Sequence, residues 1–393
     1  MEAEASNALE SKQKFESELV NSLNIDSWTT GLNLNDLYSR LELEKEVVES
    51  LHNEDKARAI LRDKILPQFA NSQANIPYSG LYNVEPEQIQ KAHYGLLFNG
   101  GVEATDGTIV THDTIPLTVT QIGVCLVSYN GEQGAYAHRI YRKDLKIKGD
   151  DPLSDVLELL NQRRNRGAQG IEENSNTFSS LAQRGLMAYA ERAVLTKKSQ
   201  ARWLMGHGHP FPYELLTGFW ASRSEMTEAA LELMSQIVKH ETFLFIPSAP
   251  SRRELITLGN ALNPLEYIII GTVQADIENL IEKGGARSDK RNMQMDFASK
   301  FASQVVYGLY RASQTAPAYL FYAHKDFAQT AALIAISDSL LQEHRGFPML
   351  IDIADNICTA TFDPGAFYSS IRNAYAEAGQ PFRFLSERET RNK

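Results

Sequence analysis

The 393-residue sequence contains only two cysteines, Cys125 and Cys358. That is too few for a disulfide scaffold or a zinc centre built from cysteines. No apolar run approaches the roughly 18 residues that a membrane-spanning helix needs. There is no Gly-x-x-x-x-Gly-Lys-Ser/Thr loop to cradle a nucleotide's phosphates and no Gly-x-Ser-x-Gly elbow to present a serine nucleophile. The first residues, Met-Glu-Ala-Glu-Ala-Ser, are acidic where a signal peptide is basic and then apolar. These absences set the expectation of a soluble, intracellular, cytoplasmic protein with no membrane partner. Positive charge is also scarce, with 39 Lys+Arg against 49 Asp+Glu and a net charge of −10. Taken whole, that balance speaks against nonspecific coating of DNA. What the chain does have is 43% hydrophobic and 22% charged residues, the composition of a globular protein with a sizeable core.

The charge is unevenly spread. Residues 1–135 carry a net −11, residues 136–202 a net +5 and residues 203–393 a net −4. Phosphate binding follows the local field around a groove, so the central stretch has two readings. Arg139, Arg142, Lys143, Lys146 and Lys148 form either a solvated strand face or a track for a nucleic-acid backbone. Lys197 and Lys198 close the stretch and are candidate DNA contacts.

Periodicity divides the chain into an N-terminal helical arm, 1–66, and a larger domain, 67–393. In the arm Leu37, Leu41, Val48 and Leu51 recur at helical spacing, acids dominate the other positions, and Pro67 is expected to end the helix. Residues 68–100 read as irregular. Strands are expected at 102–110, 118–129 and 134–141, the last two joined at the tight-turn pair Asn130-Gly131. Residues 161–178 read as a polar loop and 178–198 as a helix. Beyond it a strand ends at His207, and helix 224–240 leads to strand 242–246. A capping box formed by Ser251 and Glu254 opens the next helix. Strand 267–273, helix 275–283, strand 318–324 and helices near 328–345 and 364–378 complete the pattern. A three-strand meander feeding into alternating helices and strands is the order of an α/β fold with a ribonuclease H-like mixed sheet and helices on both faces.

The chemistry-bearing residues are acids and histidines at the ends of these elements. Asp106, in Thr-Asp106-Gly107-Thr, closes the first predicted strand. A carboxylate there serves either a turn or a hard cation such as Mg2+ or Mn2+. Glu191 borders the apolar stripe of Leu186, Ala190, Ala193 and Val194, where it meets either a metal or an arginine such as Arg192 or Arg184. In His207-Gly208-His209-Pro210 an extended backbone would turn both imidazoles to one side and within reach of one ion. Asp352 and Asp355, three apart, share a helical face and suit a helix start.

The order of Asp106-Gly-Thr, the Leu-Met-x-x-x-Glu191 helix, the strand ending at His207-Gly-His-Pro, and Gly-Phe-Pro-Met-Leu-Ile-x-x-Ala-Asp355 resembles the NurA nuclease family over residues 95–375. The resemblance implies a ribonuclease H-like fold akin to the Argonaute nuclease domain. It also implies degradation of DNA ends and single strands with Mn2+ or Mg2+, and a homodimer that works with the hexameric ATPase HerA. By that resemblance Asp106 and Glu191 match the first two family acids, and Asp355 falls where the family often has a histidine. His207-Gly208 stands where the family has a second Asp-Gly. The implied metal and catalytic set is thus Asp106, Glu191, His207 and Asp355, with one negative charge fewer than the family pattern. Arg252 and Arg253 are candidates for neutralising a phosphate, and Trp203 or Phe211 for stacking a base unless they belong to the core. Three activities follow as alternatives: a two-metal DNA nuclease in break repair or defence against foreign DNA, an inactive adaptor that binds the translocase and DNA, and a small-phosphoester hydrolase built on His-Gly-His.

Overall fold

The computed structural model describes residues 2–28, 37–70, 76–114, 117–143, 151, 153–157, 180–217, 224–248, 252–283 and 288–383. The chain forms two compact units, Met1–Ile60 and Leu61–Lys393. The first contains helices α1 (Glu2–Asn21) and α2 (Leu37–Ile60). Between them lies a short 3-10 turn, Ile25–Ser27, within the arm expected to be helical. Phe15, Leu19, Leu23, Trp28, Leu41, Val48 and Leu51 are exposed. Among the described residues, no helix is long and apolar enough to cross a membrane.

The second unit is built on a nine-stranded sheet: β1 (Gly80–Asn83), β2 (Val102–Asp113), β3 (Thr118–Ser128), β4 (Gly131–Arg142), β5 (Trp203–His207), β6 (Phe243–Ile246), β7 (Glu266–Thr272), β8 (Val305–Arg311) and β9 (Tyr319–His324). The order across the sheet is β1-β7-β8-β9-β6-β5-β2-β3-β4. β2, β3 and β4 form an antiparallel meander, β5 runs parallel to β2, and β6 runs parallel to β5. The sub-order β4-β3-β2-β5-β6, with β3 alone reversed among them, is the ribonuclease H-like arrangement. β3 is buried along its whole length, as its run of Val, Ile and Thr requires of a central strand. The turn at Asn130-Gly131 is present, and Gly131 takes a φ of +113° that side-chain-bearing residues rarely adopt.

Helices cover both faces: α3 (Ser180–Lys198), α4 (Ser224–His240), α5 (Arg253–Asn260), α6 (Gln274–Lys283), α7 (Ser288–Phe301), α8 (Ala328–Ser339), α9 (Met349–Thr361) and α10 (Pro364–Glu377). Side chains alternate along each strand, so the two faces can be read from the core. Val102, Ala104, Cys125, Val127, Trp203 and Met205 pack with α8 and α9 on one face. Leu126, Leu204, Phe243 and Phe245 pack with α3, α4 and α7 on the other. A fully buried Leu, Ile or Phe stabilises by about 1.5–3 kcal/mol. Both faces are lined with such residues, which offsets the cost of the buried acids described below.

Six expectations need correction. Residues 68–100 are not irregular, since they hold β1 and a helix, Pro86–Ala92. Asp106 does not close its strand, since β2 runs on to Asp113. Pro67 does not end a helix but sits in the first turn of a short one, Leu66–Phe69, where its missing N–H costs nothing. β7 and β9 do not extend the parallel portion: β9 pairs antiparallel with β6, and β8 lies between β9 and β7 and pairs antiparallel with both. The helix that begins at Ala328 runs to Ser339 and tightens into a 3-10 turn, Leu340–Gln342, short of residue 345. α5 is preceded by Arg252, which makes no side-chain capping bond, and Ser251 lies outside the described residues. The predicted loop 161–178 also lies outside them.

Candidate active site

β2 and β5 pair in parallel from Val102 opposite Trp203 to Thr105 opposite Gly206, and then part. β2 continues against β3, whereas β5 stops at His207 because Gly208 turns the chain with a φ of +85° and Pro210 follows. The carboxyl ends of parallel strands, where the connections diverge to opposite sides, are where open α/β sheets bind ligands. Asp106 and His207 are the first residues beyond the last β2–β5 pair. By alternation with Ala104 and Met205 both belong to the face covered by α8 and α9. The His207 ring meets Phe347 on that face, with centroids 6.0 Å apart.

Glu191 comes from α3, on the opposite face. It reaches the fork over Gly107, where a Cβ would lie 2.7 Å from Glu191 Oε1 and 2.9 Å from its Cγ. Only a residue without a side chain lets the carboxylate lie this close to the strand. The Gly107 N–H donates to Asp106 Oδ1 at 2.8 Å and also favours the charged form of Glu191. Two acids from opposite faces of the sheet therefore converge on one amide.

Both hold their protons more tightly than free carboxylic acids. Burial raises Asp106, and the charges of Asp355 and Asp352 on α9 add to it, against the Gly107 N–H and the His207 charge. Burial pushes Glu191 up to about 7, and Asp106 adds to it, against Arg192 and the Gly107 N–H. Asp355 is exposed. Asp352 accepts from Gln342 Nε2 at 2.7 Å and is ion-paired to Arg345, so part of its charge is already matched.

Arg192 is the residue that sequence reasoning treated only as a possible partner for Glu191. Its side chain is 4% exposed, and Nη1 lies 3.3 Å from Glu191 Oε2. It donates to the carbonyls of Ala188 (3.0 Å), His207 (3.4 Å) and His209 (2.6 Å), and stacks over Phe245. It thus ties Glu191 to the exit of β5. The adjacent Glu-Arg pair in a half-apolar helix was the available signal, but the two carbonyls are visible only in the fold.

The two histidines do not face one ion. Gly208 breaks the strand alternation, so His209 packs on Tyr322, with ring centroids 4.2 Å apart, and accepts from the Phe211 N–H at 2.8 Å. Burial and the Arg192 charge push His209 down to about 3, which keeps it neutral and structural. The shared His-Gly-His metal site expected from the sequence is therefore absent. Trp203 and Phe211 are both 2% exposed and belong to the core, so neither is placed to stack a base. Lys197 and Lys198 lie six and seven residues beyond Glu191 on α3, about 10 Å along the helix, where Lys198 covers the Tyr136 ring. Arg252 is tied to Glu254 and Asp276, while Arg253 is exposed.

Among the described residues, no three His, Cys, Asp or Glu side chains enclose a ready ion site. Hard cations such as Mg2+ are commonly held by one or two carboxylates together with substrate phosphate and water. Asp106 and Glu191 fit that role, because a cation between them would discharge two acids that burial and mutual repulsion disfavour.

The sheet and the fork together define a ribonuclease H-like protein with an acidic site where its first and fourth core strands part. No protein-family model matches the chain, and no curated protein matches it. Among solved structures it is similar to the NurA nuclease from Sulfolobus solfataricus, at 9% identity over 88% of this chain and 98% of that one, with a TM-score of 0.42. It is similar to NurA bound to dAMP and manganese at 8% identity, over 84% and 96% of the two chains, with a TM-score of 0.43. It is also similar to Ciona intestinalis endonuclease V in complex with DNA, at 10% identity over 81% and 97%, with a TM-score of 0.27. At such TM-scores the likeness carries no argument of its own. The fold assignment rests on the order and directions of the strands.

Proposed function

We propose that this chain is a metal-dependent DNA nuclease acting on DNA ends and single strands, with Asp106, Glu191, His207 and Asp355 as its metal-binding and catalytic set. One observation carries the reading: two carboxylates from opposite faces of a ribonuclease H-like sheet meet at the Gly107 amide with raised proton affinity. An acid pair of this kind is short of positive charge, and a divalent cation together with a phosphodiester supplies both the charge and the missing ligands. The order of motifs along the sequence supports DNA as the substrate.

The protein's own part is to hold and orient. Asp106 and Glu191 would present oxygens to a cation where β2 parts from β5, and a bound cation would favour the charged form of Glu191. Arg192 fixes Glu191 against the β5 exit and is too buried to contact a strand. His207, beside Phe347, would offer a ring nitrogen from the α8–α9 face, and the exposed Asp355 on α9 would add negative charge near Asp106. Bound Mn2+ or Mg2+ supplies water activation and stabilisation of the leaving oxygen at such sites, one ion for each in a two-metal mechanism. Partnership with a HerA-type hexameric translocase, a homodimer, a cytoplasmic location and a role in repair or defence belong to the same proposal. Apart from the location, which follows the sequence composition, they are supported by the sequence resemblance alone. The test is Mn2+- or Mg2+-dependent loss of an end-labelled single strand, abolished by Asp106→Ala. Equal behaviour of wild type and Asp106→Ala would refute catalysis here.

A second reading, an inactive adaptor, is favoured by His207 standing where the resembled family has an acid. It predicts translocase and DNA binding without cleavage, and a gain of cleavage in His207→Asp.

A further inference from the structure

Resting on the DNA reading above, we infer that the groove between β3–β4 and the α9–α10 junction is a phosphate subsite for the bound strand, with Arg139 as its recognition residue. The groove has a volume of about 460 Å³, and its lining includes Gln121, His138, Arg139, Phe362, Asp363 and Phe367. Its place follows from the register. Asp106 is paired with Cys125 on β3, and Cys125 shares its face with Gly123 and Gln121. Gln121 in turn is paired with Arg139 on β4. Gln121 lies four residues along β3 from Cys125, about 14 Å at 3.4 Å per residue. The groove and the Asp106 carboxylate therefore lie on one sheet face, within the span of a few nucleotides.

Arg139 is held for the task. Its Nε donates to Gln121 Oε1 at 2.8 Å, and its guanidinium lies over the Phe367 ring, 5.8 Å from the centroid. Only Nε is committed among its described hydrogen bonds, which leaves the two terminal nitrogens for a bidentate contact with phosphate. Other cations on this face are engaged: Arg345 is paired with Asp352, and Arg372 stacks on Phe382. The Asp363 carboxylate is committed to the Ala366 N–H at 2.8 Å, as the N-cap of α10. Together Arg139 and Asp363 leave the groove near neutral. Recognition would come from directed hydrogen bonds, and its effect is modest and local.

The test is binding of a fluorescently labelled oligothymidylate to the full-length protein in EDTA, at several salt concentrations, so that cleavage does not enter. Arg139→Glu is expected to weaken binding about tenfold, and Arg139→Gln to reduce the log–log salt slope by about 1. Arg139→Gln keeps a donor for Gln121, so the comparison does not depend on the glutamate variant folding. Lys283→Glu, at the exposed end of α6, is expected to bind within about twofold of wild type. The inference is overturned if both Arg139 variants bind like wild type, if Lys283→Glu costs as much, or if wild type binds no oligonucleotide. Arg139-dependent binding without cleavage in Mn2+ would instead overturn the nuclease reading and leave the subsite standing. Normal cleavage with Arg139-independent binding would do the reverse.

Discussion

Two regions of the sheet domain bury acids, and they treat them differently. At the α8–α9 junction Asp338 is fully buried, and both of its oxygens are engaged: the Tyr129 hydroxyl donates to Oδ1, and the Leu350 N–H donates to Oδ2 at 3.0 Å. Pro348, the N-cap of α9, makes no side-chain capping bond, so Asp338 serves as a cap from another helix. Burial still pushes Asp338 up to about 6, but its hydrogen bonds are complete. At the β2–β5 fork Asp106 and Glu191 share the Gly107 amide, and Glu191 is pushed up to about 7. A structural acid is paid for by protein donors, whereas the fork leaves a deficit of positive charge that a ligand must make good. Breaking each region should therefore have opposite consequences.

The largest expected effect is on cleavage. Asp106→Ala should lower Mn2+-dependent removal of a labelled end by about a thousandfold or more, with thermal stability unchanged or raised. Asp338→Ala should do the opposite and cost about 3 kcal/mol of unfolding free energy in chemical denaturation, since it strands the Tyr129 hydroxyl and the Leu350 amide. Cleavage in that variant should survive at temperatures where it remains folded. If Asp106→Ala destabilises as much as Asp338→Ala, the distinction between the two regions fails.

The pH dependence sharpens the same contrast. In the metal-free protein Glu191 titrates near 7, whereas the unfolded chain's glutamate titrates near its ordinary value of 4.5. Between those values the native state binds more protons than the unfolded state, so the contribution of Glu191 to stability falls as pH rises from 5 to 8. Glu191→Gln removes that loss. Measured as the difference between wild type and Glu191→Gln, which cancels the opposing titration of His209, the slope should amount to on the order of 2 kcal/mol. A pH-independent difference would show that Glu191 is not under charge stress. The smallest expected effect is that of Gly107→Ala. Its Cβ would meet Glu191 Oε1 at 2.7 Å, and the flexible carboxylate can swing away. Cleavage should then fall about tenfold through misplacement, with little loss of stability.

Much of the fold was legible in the sequence, because hydrophobic periodicity and turn residues act locally. The meander, the Asn130-Gly131 turn and β5 are examples. β8 was not legible, since Val305–Arg311 is a short apolar run without a flanking turn signal, and without it β7 and β9 read as continuing the parallel portion, which in fact ends where β9 pairs antiparallel with β6. At the site, Asp106 could be picked out as an acid before a glycine in a strand, and Glu191 as an acid bordering an apolar helical stripe. Their approach from opposite faces could not, because it depends on Gly107 in a packed sheet. The parting of His207 from His209 follows from the left-handed Gly208, which a two-residue alternation rule ignores. Asp338 carried a signal that was overlooked: an acid inside the apolar helix Ala-Ala-Leu-Ile-Ala-Ile-Ser-Asp-Ser must find partners or leave the core.

The most direct test of the charge deficit at the fork is calorimetric titration of the full-length protein with Mn2+ at pH 7, in buffers of different ionisation enthalpy. Binding is predicted to release about half a proton or more per ion, to lose most of that release in Glu191→Gln, and to weaken severely in Asp106→Asn. Mn2+ binding of the same affinity and proton release in all three proteins would contradict the assignment of Asp106 and Glu191 as the cation-binding pair.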